Sequence, residues 1–327
     1  MTLLSTTEAL RTALSEELAR DPAVFLLGED IGAYGGAFGV TRGLLDRFGP
    51  ERVIDTPISE SSVVGAAIGA ALAGSRPVVE IMFMDFITLA VDQLANQAAK
   101  LRYVLGPQAR CPVVVRTPAG GGRCYGPTHS QSLEALFLHI PGLRIAVPAT
   151  PADARGLLKT AIRGDGPVLF VEHKTLYGEK GPVPLEEDAA LPFGVARVAR
   201  EGADLTIVAW SRMTVEAERA AAELAEEEVA AEVIDLRTLS PLDMDTVAES
   251  VRKTHRLLIV EEGTRTGGAG AEIAAQAAEA AFEYLDRPVR RVATPDVPVP
   301  ASPVLERAAL PNAGRIVEAA LEMMDMG

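Results

Sequence analysis

Two cysteines, Cys111 and Cys124, are all that 327 residues carry. They form no CxxC pair and are too few for a zinc framework or a disulfide scaffold, so free thiols in a reducing cytosol are expected. Aromatic residues make up only 5% and there is a single Trp, while 48% of the chain is apolar. An ordered globular protein with a core of small aliphatics follows, and disordered or fibrous classes drop out. Long apolar runs are missing too. The most hydrophobic stretch, VVGAAIGAALA at 63–73, is about half of what a membrane helix needs and reads as a buried helix. The first residues, MTLLSTTEAL, have neither a basic start nor an unbroken apolar segment, so no secretory signal is expected. Basic residues are in deficit: Lys and Arg number 31 against 45 Asp and Glu, a net charge of −14. That balance argues against a nucleic-acid backbone as partner and leaves room for a basic protein.

What is present is alternation. Thr6–Arg20 has the spacing of an amphipathic helix, and VFLLGED (24–30) follows as a short apolar strand ending in acid. Further strands are expected at 77–83, 112–116, 144–149 and 167–173, with helices at 61–73, 86–104, 132–139 and 151–163 between them. Apolar runs alternating with helices predict an α/β fold with mostly parallel sheets covered on both faces. The chain is long for one core, so two domains are expected. Residues 176–194 collect Pro, Gly and acid without periodicity, which puts a linker at 181–194 between a domain at 1–180 and another at 195–327. The second domain repeats the pattern, with strands at 204–210, 231–237, 256–262 and 288–294 and helices near 212–228, 243–253, 269–285 and 312–325.

Three glycine-rich stretches, at 32–39, 120–126 and 263–270, match neither the dinucleotide nor the P-loop spacing. The most informative segment is IDTPISESS (54–62). A strand end and a Pro-containing turn place Glu60 at the start of a Gly/Ala-rich helix, where a carboxylate either caps the positive helix end or is kept partly dry. Burial there would raise its pKa and suit it to share a proton with a ring nitrogen.

With LLGED (26–30), IDTPISE (54–60), THSQS (128–132), PGLRIAVP (141–148), FVEHKTLYG (170–178), EVIDLRTLSPLD (232–243) and GAGAEI (268–273), the chain resembles, over nearly its whole length, the beta subunits of the thiamine-diphosphate-dependent decarboxylating component of 2-oxo acid dehydrogenase complexes, within the transketolase-like family. The resemblance implies a pyrimidine-binding fold followed by a transketolase C-terminal-type domain. It implies that Glu60 hydrogen-bonds the aminopyrimidine of thiamine diphosphate, that Glu29, Ile58, Met82 and Phe86 surround that ring with Phe86 stacked on it, and that His129 faces the reacting centre and exchanges protons with substrate oxygens or assists transfer to the lipoyl arm. It also implies a potassium ion on the main-chain carbonyls of Val113, Ala161, Ile162, Gly164 and Gly166, the last two being glycine here, unlike pyruvate-type members.

In the wider family the diphosphate is anchored through Mg²⁺ on a GDG motif followed by an asparagine. Here Gly164-Asp165-Gly166 runs straight into the apolar strand PVLFV, and the only asparagines are Asn96 and Asn312, so this GDG reads as a turn. The resemblance implies that an alpha subunit holds Mg²⁺ and the diphosphate in an α2β2 heterotetramer, with a lipoyl-bearing acyltransferase core as further partner. The implied reaction is oxidative decarboxylation of a 2-oxo acid with acyl transfer to lipoyl groups, in the cytoplasm. FVEHKTLYGEKGPVP and SRMTVEAE look closer to acetoin dehydrogenase beta chains, so pyruvate, branched-chain and acetoin substrates all stay open. A noncatalytic α/β assembly subunit is the alternative of another class.

Overall fold

A computed structural model describes residues 1–186 and 189–325. They divide into two compact units, Met1–Ala119 with Leu136–Phe193, and Gly120–Ala135 with the chain from Gly194 onward. Both are α/β units built on mostly parallel strands, as the alternation predicts.

The first unit begins with strand β1 (Thr2–Ser5) and helix α1 (Thr6–Arg20). Ser5 and Glu8 close a reciprocal capping box at the start of α1, which satisfies two otherwise orphaned donors. Then come β2 (Val24–Gly28), α2 (Leu44–Phe48), β3 (Val53–Asp55), α3 (Glu60–Leu72), β4 (Arg76–Glu80), α4 (Ala99–Leu105), β5 (Val114–Ala119), a short α5 (Glu134–Leu138), β6 (Arg144–Ala146), α6 (Pro151–Arg163), β7 (Val168–His173) and β8 (Lys180–Val183). The parallel strands run in the order β6-β7-β5-β4-β2-β3. Every residue of β5 and β7 is buried, the mark of strands covered on both faces. Leu10, Leu14 and Leu18 of α1 pack with Leu157, Leu158 and Ile162 of α6 over Leu26, Val78, Val114 and Phe170 of the sheet.

Two local expectations need correction. The stretch 86–104, expected as one helix, is a 3-10 segment (Met84–Ala90), a π segment (Gln93–Ala98) and then α4. β-branched Ile87, Thr88 and Val91 are poor helix formers, and the Thr88 hydroxyl donates to the Asp85 carbonyl at 2.9 Å, competing with regular helix bonding. The Pro/Gly-rich stretch after residue 176 also contains β8, paired antiparallel with β1. Gly181 and Pro182 are tolerated there because a two-stranded ribbon is all edge. Glu187 and Asp188 of the expected linker lie outside the described residues.

In the second unit the order is β9 (Arg197–Arg200), β10 (Leu205–Ala209), α7 (Arg212–Glu226), β11 (Ala231–Asp235), a short β12 (Thr238–Ser240), α8 (Met244–Thr254), β13 (Leu257–Thr264), α9 (Ala269–Ala281), β14 (Arg290–Thr294), α10 (Pro303–Ala309) and α11 (Ala313–Asp325). Its sheet runs β14-β13-β10-β11-β9, parallel except for the edge strand β9. Ala217, Ala220, Ala221 and Leu224 of α7 and Ile316, Ala320 and Met323 of α11 close over Ile207, Val233, Leu258 and Val260. Small residues on α7 let that helix approach the sheet closely, which is why an Ala/Glu-rich run folds into a core element.

Candidate functional site

In the first unit the ends of β2, β3 and β4 and the start of α3 form a narrow cleft lined by Glu29, Glu60, Val63, Glu80, Ile81 and Met82, among others. Gly28 lets β2 reach it, because a Cβ there would lie 2.6 Å from the Glu80 carbonyl oxygen. Beyond β3, the Thr56 N–H donates to the Gly28 carbonyl at 3.0 Å, and Ser59 precedes α3 without a side-chain cap. Glu60 is therefore the first helical residue, at the positive end of the helix dipole.

Three carboxyl groups and no basic side chain line this cleft. Burial, followed by the nearby Asp30 and Glu60, raises the Glu29 carboxyl above the ordinary carboxylate range. That shift raises the affinity of Glu29 for a proton relative to an open carboxylate. The same direction holds for Glu80, driven by burial and by Glu172, although Arg116 opposes it.

Of the residues expected around the ring, the fold brings Glu29, Glu60 and Met82 together on one cleft. Ile58 does not line it and is 74% exposed on the turn before α3. Phe86 does not line it either; its ring packs edge-on against Phe83 at 5.7 Å. Sequence reading passed over Glu80 and, behind it, Arg116 and Glu172. An acid inside each of the apolar runs PVVEIMF and VLFVEH was the signal, since a charge in a buried strand demands a partner.

His129 belongs by contacts to the second unit, in the segment Gly120–Ala135. Its Nδ1 lies 3.1 Å from the Thr128 hydroxyl, and its N–H donates to the Gly126 carbonyl at 3.3 Å. Two acids from elsewhere in that unit fasten the loop. Glu262 accepts from the Gly121 N–H at 2.6 Å, and Glu306 accepts from the N–H groups of Gly122 and Cys124 at 3.0 and 3.1 Å. Gly120, Gly122 and Gly126 have φ between 81° and 86°, a region open to glycine at little cost. Close by, Glu134 and Glu261 are pushed up to about 7, each by burial first, with Glu262 and Glu261 adding for Glu134.

Of the five carbonyls expected around a potassium ion, those of Ile162 and Gly164 accept from Arg76 Nη1 at 3.0 and 2.7 Å, and that of Val113 accepts from the Val168 N–H at 2.9 Å. Arg76 Nη2 also holds Asp165 at 2.7 Å, so Gly164-Asp165-Gly166 is a turn that ends α6. Each carbonyl oxygen retains a second lone pair, and Asp165 and Asp21 flank the guanidinium. Two of the five expected oxygens are thus already held by the Arg76 guanidinium. Among the described residues, no three His, Cys, Asp or Glu side chains gather as a metal site.

The family model for the transketolase pyrimidine binding domain matches residues 3–180, and the one for the transketolase C-terminal domain matches 194–316. A solved structure described as a split gene transketolase, inactive beta4 tetramer, superposes with a TM-score of 0.78 at 28% identity, covering 98% of each chain. Fold and cleft thus define a transketolase-like protein of the pyrimidine-binding class. Among relatives, the pyruvate dehydrogenase E1 component subunit beta-2, mitochondrial, of Oryza sativa subsp. japonica is 49% identical over 96% of this chain and 84% of its own. The acetoin:2,6-dichlorophenolindophenol oxidoreductase subunit beta of Cupriavidus necator is 48% identical over 99% and 98%. The E1 beta subunit of Rickettsia felis is 48% identical over 95% of both. The chain belongs to the family of 2-oxo acid dehydrogenase E1 beta subunits.

Proposed function

We propose that this chain supplies the aminopyrimidine half of a thiamine diphosphate site in an α2β2 heterotetramer, and that an alpha subunit supplies the diphosphate half with its Mg²⁺. The observation that carries this is the charge of the cleft. Three carboxyls line the cleft, and Arg116 behind them is taken up by Glu80 and Glu172; such a lining suits an uncharged ring bearing basic nitrogens and disfavours a diphosphate, so the anionic end of the cofactor belongs to another chain. The solved relative described as an inactive beta tetramer supports the same division.

Bound there, thiamine diphosphate supplies an electron sink for cleaving the bond next to a substrate carbonyl. This chain's own residues do the rest. Glu60 holds and returns a proton at a ring nitrogen, the role of a positioned general acid–base. Glu29, its carboxyl raised by burial, stands beside the same ring. Met82 and Phe86 give the ring apolar faces, with Phe86 stacked on it, and Ile58 covers its edge. His129 exchanges protons with substrate oxygens. We assign the domains to 1–180 and 195–327, joined by 181–194. At the carbonyls of Val113, Ala161, Ile162, Gly164 and Gly166 a potassium ion shares Ile162 and Gly164 with Arg76.

The reaction is oxidative decarboxylation of a 2-oxo acid with acyl transfer to a lipoyl-bearing acyltransferase core, in the cytoplasm. Cleavage of acetoin is the second reading, favoured by the Cupriavidus necator relative that this chain covers almost end to end. The test is turnover of pyruvate, a branched-chain 2-oxo acid and acetoin by the chain alone and by the chain with its alpha partner, Mg²⁺ and thiamine diphosphate, with a lipoyl domain as acceptor. Turnover is expected only from the pair. Turnover by the chain alone overturns the divided site, and an inert pair overturns the enzymatic reading in favour of an assembly subunit.

A further inference from the structure

Beneath the cleft of the first unit runs a line of buried contacts that the proposed chemistry does not use. Arg116, 2% exposed on β5, grips Glu172 of β7 with two parallel bonds, Nε to Oε1 at 2.7 Å and Nη2 to Oε2 at 2.8 Å. Its remaining nitrogen, Nη1, donates to Glu80 Oε2 at 2.8 Å, and Glu80 is itself part of the cleft wall. From Glu172 the line continues outward. The Tyr177 hydroxyl donates to Glu172 Oε2 at 2.6 Å, and the Tyr177 ring stacks on Phe38 with centroids 4.8 Å apart and planes 22° apart. Phe38 meets Phe83 edge-on at 5.8 Å, and Phe83 meets Phe86 edge-on at 5.7 Å. Lys174 Nζ lies 5.3 Å from the Phe83 ring centre. One end of this line is an acid of the cleft, and the other is the aromatic proposed to stack on the cofactor.

A pair of buried acids sharing one arginine is a poor way to gain stability alone, because desolvation of the charges offsets most of their attraction. It is a good way to fix geometry. The guanidinium is planar with donors at set angles, so a bidentate grip on Glu172 dictates where its third nitrogen, and hence Glu80, must be. Offset-stacked and edge-on ring pairs have preferred orientations as well, so the position of Tyr177 is passed on to Phe83 and Phe86.

We propose that Arg116 is a positioning residue of the cofactor site, holding Glu80 at the cleft wall directly and Phe86 through Glu172, Tyr177, Phe38 and Phe83, so that both are set before the cofactor arrives. Arg116 touches neither cofactor nor substrate. Its contribution is pre-organisation, which appears in binding. This rests on the cofactor reading above.

The test uses the reconstituted complex of this chain with its alpha partner. Thiamine diphosphate is titrated calorimetrically in the presence of Mg²⁺, and kcat is measured at saturating cofactor. In Arg116→Lys, a single ammonium cannot make the bidentate grip, and the dissociation constant is expected to rise about tenfold while kcat at saturation stays within about twofold. Tyr177→Phe keeps the ring on Phe38 but removes the hydroxyl from Glu172, and a smaller rise in the same direction is expected; this variant also decides the matter if Arg116→Lys fails to fold. A dissociation constant unchanged in the folded variants, with only the melting temperature lowered, overturns the proposal. Failure of the cofactor reading itself shows differently, as absence of thiamine diphosphate binding by the unaltered complex.

Discussion

The two units handle buried acid at their candidate sites in opposite ways. In the first unit arginines do this work: Arg116 serves Glu80 and Glu172 beside the cleft, and at the end of α6 Arg76 serves the carbonyls together with Asp165. Around the His129 loop of the second unit, the work falls to peptide N–H groups. Gly121 serves Glu262, Gly122 and Cys124 serve Glu306, and Gly270 serves Glu261 at 3.2 Å. A cation lowers its partner's proton affinity, although at Glu80 burial still outweighs Arg116. N–H bonds also favour the charged form, but at Glu134 and Glu261 burial outweighs them and pushes each carboxyl up to about 7. The first unit thus orders its buried acids with an arginine, and the second uses its acids to shape a loop.

The largest effect expected from this contrast is at Glu60. Glu60→Gln keeps size and hydrogen-bonding capacity but removes the transferable proton, so turnover of the assembled tetramer should fall by at least about a hundredfold with assembly intact by size-exclusion chromatography. Near-normal turnover would mean that the cleft acid is structural, like those of the second unit.

Next comes pH. Glu134 and Glu261 bind a proton in the folded chain up to about 7 but start from a reference value of 4.5. The folded state therefore holds more protons between those values, and its stability is full below about 4.5 and declines as pH rises through about 7. Each carboxyl accounts for a loss on the order of 3 kcal/mol across that window. Urea unfolding at pH 5 and pH 8 should show lower stability at pH 8, and Glu134→Gln should flatten the slope. A slope unaffected by that substitution would remove the contrast between the units.

The smallest effect is at the α6 carbonyls. If a potassium ion joins Arg76 there, the melting temperature in KCl should exceed that in NaCl at equal ionic strength by about 2 °C. Equal temperatures in the two salts would leave Arg76 as the sole cation at those oxygens.

Much of this was legible from residue order. The run from Val24 to Asp30 announces a strand that delivers an acid, and the turn at Pro57 followed by a Gly/Ala-rich helix announces where Glu60 must stand. Each is a local signal, carried by neighbours within a few residues. The partners of buried charge are not local: Arg116 is separated from Glu80 by 36 residues and from Glu172 by 56, and Glu306 from Gly122 by 184. No period or spacing encodes such pairs. The broken helix at 84–105 was missed for a related reason, since a short run of apolar and β-branched residues does not reveal its own hydrogen bonding.

By itself, then, the order of residues determined the alternating α/β class, the two-domain organisation implied by length, and the identity of the acid at the head of α3, because periodicity and turn chemistry act over short stretches of chain. Only the tertiary structure decided which charges are compensated by which, and that burial raises the carboxyls of both Glu29 and Glu80. Desolvation and Coulomb interaction depend on distance through space, and the parallel sheet brings together β4, β5 and β7, which the chain keeps far apart.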